Sequence, residues 1–142
     1  MHFLLVEDEA AHAELIRLSL VDNKVANTLD HVQDGEAALE YLQQEGRFSE
    51  ARRPDVILLD LKLPKIDGHE VLEWIKGRDH LATIPVVVLT TSSNEIDRAK
   101  AYARHANSYL AKPVDFPQFQ RMIRDLGLYW TVWNQPPARA RT

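Results

Sequence analysis

The sequence predicts a doubly wound α/β sandwich: a five-stranded parallel sheet with helices on both faces. Short apolar runs alternate with helix-period segments along the chain, giving the order β-α-β-α-β-α-β-α-β-α. The runs Val56-Ile57-Leu58-Leu59 and Val86-Val87-Val88-Leu89 are apolar at every position rather than at alternate ones. That pattern marks central strands covered on both faces, where neither side meets water. Alternation of this length closes into a parallel sheet through right-handed crossovers.

The elements follow in order. Strands are predicted at Phe3–Val6, Thr28–Val32, Val56–Leu59, Pro85–Leu89 and Tyr109–Ala111, the second being the weakest run. The first helix carries its apolar stripe on Ala13, Ile16 and Leu20. Asp34-Gly35-Glu36 opens the next, Ala37–Gln44, with Asp34 as N-cap. Val71, Leu72 and Ile75 form the stripe of the third. Ser92-Ser93-Asn94-Glu95 reads as a capping box for Glu95–His105, and Asp115 with Gln118 does the same for the last helix. Pro64 closes a strand exit and Pro85 opens a strand. No internal repeat or low-complexity segment interrupts this order.

Composition narrows the function. The 142 residues fit one domain with a real core, and 45% hydrophobic with 27% charged residues is ordinary for a globular protein. A formal net charge of −4 argues against a nucleic-acid surface, which needs clustered Lys and Arg. Without cysteine there is neither a disulfide nor a thiolate metal site. No apolar run reaches the roughly 20 residues of a spanning helix. The opening Met1-His2-Phe3-Leu4-Leu5-Val6-Glu7 meets acid too early for a signal peptide. A cytoplasmic domain with no membrane partner is expected.

In doubly wound sheets ligands bind beyond the carboxyl ends of the strands. There the first run ends in Glu7-Asp8, the third in Asp60, the fourth in Thr90-Thr91 and the fifth in Lys112-Pro113. Each alone has an ordinary explanation: Asp60 as a turn residue, Lys112 as a solvated lysine, Thr90 as a β-former bonding the backbone. Together they put three carboxylates, a hydroxyl and an ammonium on one edge. Crowded carboxylates repel, and a bound divalent cation offsets the repulsion. Oxygen ligands without cysteine favour magnesium, with manganese as the alternative, over zinc.

The segments Val6-Glu7-Asp8-Glu9, Ile57 through Pro64 with Asp67-Gly68, Val88-Leu89-Thr90-Thr91 and Tyr109-Leu110-Ala111-Lys112-Pro113 resemble the receiver domain of two-component response regulators. The likeness runs from residue 2 to about 128, in family order and spacing, and implies the (βα)5 flavodoxin-like fold. It also implies that Asp60 is the phosphoacceptor, and that Glu7, Asp8, Asp60 and the backbone carbonyl of Lys62 hold magnesium. Lys112 would pair with a phosphoryl oxygen from a cis Lys112-Pro113 peptide, and the Thr90 hydroxyl would bond another. Thr90 and Tyr109 would form the switch, the ring turning inward as Thr90 moves. The phosphoryl donor would be a histidine kinase. The only reactions expected are magnesium-dependent self-phosphorylation and autodephosphorylation, so the protein is a signalling component rather than an enzyme.

Two features depart from a minimal receiver. The stretch Leu42–Pro54 is longer than a tight helix-to-strand loop, and after residue 128 an aromatic extension, 129–137, precedes a tail, 138–142, expected to be disordered. Both, with Leu89-Thr90-Thr91-Ser92 and Asn107-Ser108-Tyr109, are similar to the small response regulators serving bacterial and cyanobacterial phytochromes. That likeness suggests a bacteriophytochrome as the kinase. No output domain is expected, so the signal would leave by protein contact. Leu128, Tyr129, Trp130, Val132 and Trp133 would form an apolar patch of the kind that marks interfaces. A homodimer through the last helix and this extension is expected, against the plainer reading that they complete the monomer's core.

Three other functions fit these residues less well. A receiver fold serving as a non-phosphorylated interaction module usually lacks one of the acids or the lysine, and all are present. Aspartyl phosphatases and dehalogenases commonly carry a second acid two residues after the first, where this chain has Lys62. A DNA-binding regulator would need a second domain.

Overall fold

The computed structural model describes residues 2–22, 28–90, 106, 108–111, 117 and 121. At Ser19, Val21, Asp22, Thr90, Ser108, Tyr109 and Ala111 the backbone alone is described. A parallel sheet of five strands has the order β2-β1-β3-β4-β5, with β1 at His2–Val6, β2 at Thr28–Val32, β3 at Val56–Asp60, β4 at Val86–Thr90 and β5 at Ser108–Ala111. This is the flavodoxin-like order, whose reversal beside β1 and β3 opens a crevice at the strand ends.

Burial explains why the runs read as they do. Every residue of β1 and β3 is buried. Leu4, Val6, Ile57, Leu59, Val86 and Val88 join one core cluster, while Phe3, Leu5, Leu58 and Val87 are equally buried and project to the opposite face by strand alternation. β2 is one of the two edge strands, and only its last residue, Val32, is buried, which accounts for its weak apolar signal.

Helix α1 spans Ala10–Asp22 and α2 spans Gly35–Gln43. Asp34 Oδ1 accepts from Ala37 N at 2.8 Å, so the predicted N-cap forms. Helix α3, Gly68–Lys76, buries Val71, Leu72 and Ile75 as its stripe requires, with Asp67 as N-cap to His69 N. Gly35 lets α2 approach α3: a Cβ there would lie 2.8 Å from Val71 Cγ2 and 3.0 Å from the Ile66 carbonyl oxygen.

Two elements were absent from the sequence expectation. The long connection after α2 contains a 3-10 turn at Gly46–Phe48; the Phe48 ring packs against Tyr41 at a tilt of 60°, with centroids 5.4 Å apart, while Arg47 lies over Phe48. A one-turn helix, α4 at Asp79–Ala82, lies in the β3-to-β4 crossover. Four residues are too few for a helical period to show. Lys76 fastens α3 to it, its ammonium donating to the carbonyls of Ala82 at 3.0 Å and Ile84 at 2.9 Å. The predicted helix over Glu95–His105 and the extension from residue 129 lie outside the described residues. So does the last helix, save Pro117 and Arg121, which are helical.

Candidate functional site

The site begins where β1 and β3 stop. Val6 pairs with Leu59, so Glu7, just past β1, stands beside Asp60, the last residue of β3. A carboxylate oxygen from each of Glu7, Asp8 and Asp60 falls within 4.8 Å of the others. Two of these acids are inside the protein, Glu7 at 1% exposure and Asp60 at 5%, whereas Asp8 is exposed at the mouth. Two buried carboxylates and a third beside them concentrate negative charge where water screens it poorly.

Backbone amides fix the carboxylates. Lys62 N donates to Asp60 Oδ1 at 3.0 Å, and Glu9 N donates to Glu7 Oε2 at 3.2 Å. Each amide lies two residues beyond the acid it holds, so the local turn sets the side chain's orientation. Glu7's own backbone is tied to the edge strand: its amide donates to the Val32 carbonyl at 3.1 Å, and its carbonyl accepts from His31 Nε2 at 2.7 Å. The His31 bond had no trace in the sequence, because exposed His31 reads as a solvent-facing edge residue.

Gly68 is a second position with an unforeseen role. Its amide donates to the Leu61 carbonyl at 3.1 Å, and a Cβ there would meet the Asp60 carbonyl oxygen and Leu61 Cα, each at 2.5 Å. The loop carrying Asp60 thus rests on the first residue of α3, where glycine alone fits. The dipeptide Asp67-Gly68 marks a turn in sequence, but a close approach across the fold is invisible there. Beyond the acceptor loop, Lys65 takes a left-handed φ of 66°, and its ammonium lies 3.8 Å from Asp34 Oδ2 at the start of α2.

The remaining expected residues divide. β4 is in register with β3, with Leu89 opposite Asp60, so the Thr90 backbone sits one step past the acceptor. Thr90 pairs with Ala111, the residue before Lys112, and Tyr109 pairs with Val88. The Thr90 and Tyr109 side chains and the whole of Lys112, with its Lys112-Pro113 peptide, lie outside the described residues. Lys62 is exposed and enters the site through its amide. The three clustered side chains offer only hard oxygen donors, and this donor set fits a divalent cation such as magnesium or manganese.

This sheet order, with an acidic pocket beyond β1 and β3, defines the receiver class of signalling domains. A family model described as the response regulator receiver domain matches residues 3–124, and the chain belongs to that family. It is 46% identical to the probable methanogenesis regulatory protein FilR2 of Methanothrix harundinacea, over 96% of this chain and 88% of that protein. The response regulator Rcp1 of Synechocystis sp. is 43% identical over 95% of this chain and 92% of its own length. The Mn(2+)-bound form of Rcp1 superimposes with a TM-score of 0.78, at 42% identity, covering 96% and 99% of the two chains. The bacteriophytochrome response regulator RtBRR reaches a TM-score of 0.83 at 47% identity, covering 96% of this chain and 84% of that one. As a receiver, the protein is a two-component signalling component working with histidine kinases. Among the described residues, no helix is long and apolar enough to cross a membrane.

Proposed function

We propose that Asp60 accepts a phosphoryl group from a histidine kinase, in a pocket where Glu7, Asp8, Asp60 and the Lys62 carbonyl hold magnesium. The observation that carries this reading is the convergence of three carboxylates within 4.8 Å at the strand ends. A carboxylate oxygen of Asp60 attacks phosphorus, the phosphorus–nitrogen bond of the phosphohistidine breaks, and the imidazole leaves with the bonding electrons. Such transfers are governed by positioning and charge neutralisation more than by nucleophile strength. The Lys62 amide on Oδ1 supplies the first by holding the carboxylate in one orientation. Magnesium, when bound, offsets the crowded acids and the incoming phosphoryl charge.

Lys112 pairs with one phosphoryl oxygen and the Thr90 hydroxyl with another. Thr90's shift makes room for the Tyr109 ring, turning a local charge into a changed surface. The reactions end with self-phosphorylation and autodephosphorylation, and no separate substrate is turned over. Phosphohistidine is made from ATP, so the same reading assigns the protein to the cytoplasm, and the net charge of −4 speaks against nucleic acid as a partner. The receiver occupies residues 1–128, and the aromatic extension 129–137 with the last helix forms a homodimer. The likeness to RtBRR supports a bacteriophytochrome as the kinase.

Phosphotransfer profiling against the host's histidine kinases tests this directly. Asp60→Asn is expected to lose labelling by both kinase and acetyl phosphate. Full labelling of that variant through an acid-stable linkage would overturn the assignment.

A further inference from the structure

The peptide that joins Glu7 to Asp8 links two of the clustered acids, and its carbonyl is held by a side chain from another strand. β2 ends at Val32, whose carbonyl accepts from Glu7 N at 3.1 Å. His31, the residue before it, pairs with Leu5 of β1. From there its ring reaches along β1, and Nε2 lies 2.7 Å from the Glu7 carbonyl oxygen. A carbonyl oxygen only accepts, so the proton of this bond belongs to Nε2. The Nε2–H tautomer and the imidazolium both carry that proton, so the bond requires no particular charge on the ring.

Glu7 is thereby fixed at its amide, its carboxylate and its carbonyl. Val32 holds the first, Glu9 N holds the second through Oε2 at 3.2 Å, and His31 holds the third. A peptide unit is planar, so the direction of the Glu7 carbonyl sets ψ of Glu7 and the point where Asp8 leaves the chain. The two acids differ in how much else places them. Glu7 is at 1% exposure, and packing surrounds it. Asp8 is exposed, so packing does little to place its carboxylate. Its position beside Glu7 and Asp60 depends first on the peptide plane that His31 holds.

We propose that His31 is a positioning residue of the metal pocket, acting on Asp8 through the Glu7–Asp8 peptide. This role presupposes that the acids hold magnesium, as proposed above. His31 itself is outside the group of donor atoms that lie within 4.8 Å of one another. Loss of a partner bound to a ligating group typically weakens metal binding ~10–100-fold. His31 holds the backbone of a ligand rather than its ligating atom, so a smaller loss, about fivefold, is expected. Because the side chain is exposed, its truncation opens no cavity in the core.

Magnesium titration of the nitrogen-15-labelled full-length protein, followed at the backbone amides, tests this with three substitutions. His31→Ala removes the donor and should weaken binding about fivefold. His31→Gln carries an amide N–H the same number of bonds beyond Cβ as Nε2, and should restore most of the affinity. His31→Asn stops short of that reach and should behave as His31→Ala does. Any positive charge lost with the ring would by itself tighten cation binding, so weaker binding reports the lost bond. A bond that only stabilised the sheet edge would shift the unfolding midpoint and leave the affinity of the folded protein unchanged. Wild-type affinity in His31→Ala, or no recovery in His31→Gln, would overturn the role of His31 and leave the pocket standing. A wild type whose amides ignore magnesium would overturn the pocket and this role together. Should His31→Ala fail to fold, the contrast between His31→Gln and His31→Asn decides.

Discussion

Gly68 and Asp60 meet backbone to backbone: a Cβ on Gly68 would lie 2.5 Å from the Asp60 carbonyl oxygen. No flexible side chain is available to yield, because the obstructing atoms belong to the main chain of the acceptor loop. Gly68→Ala must therefore move the start of α3 or the Asp60–Leu61 turn. Overpacking of this kind costs about 1–3 kcal/mol. Thermal unfolding should show that loss, and acetyl-phosphate labelling should fall more than the remaining folded fraction explains. Unchanged stability with normal labelling would mean that the loop has room.

Asp8 offers a cleaner test of the metal pocket, because its exposure means that truncation leaves no cavity. Most magnesium sites keep several waters, so binding in the millimolar range is expected. Asp8→Ala should weaken it tenfold or more, roughly 1.4 kcal/mol by titration calorimetry. Lys112→Ala is the contrasting variant, keeping metal affinity while impairing phosphorylation or the switch. Equal magnesium affinity in Asp8→Ala and wild type would remove Asp8 from the shell.

The dimer rests on the density of apolar residues in Leu128–Trp133. Replacing Trp130 and Trp133 with Glu should give a folded monomer, since charge buried in an apolar interface is costly. Light scattering at a protein concentration of tens of micromolar measures this. A wild type that is monomeric there, phosphorylated or not, would defeat the dimer.

The strands were legible because burial on both faces writes an unbroken apolar run, as in Val56–Leu59. The acids were legible because the doubly wound sheet gives strand ends a chemical meaning before any geometry is known. Asp34 as N-cap was legible for the same local reason, since its partner is three residues away. What escaped was long-range. His2 meets Tyr41 across 39 residues and Thr28 across 26, and nothing in an ordinary His, Tyr or Thr announces such a meeting. His31 and Gly68 escaped likewise, each acting through a backbone atom of another element. Helix α4 was missed because one turn carries no period.

The placement of β1 between β2 and β3 also bears on how the chain is made. The strand synthesised first among these three sits between the other two, and its β3-side anchor joins His2 to Asp55, 53 residues apart. At about 5–20 residues per second, the ribosome takes on the order of 3–10 s to supply that flank. Until then Phe3, Leu4, Leu5 and Val6 can be covered on one edge at most, and an unpaired apolar strand is a template for wrong pairing. Translation speed from His2 to Asp55 thus sets how long a nascent chain carries this apolar segment uncovered.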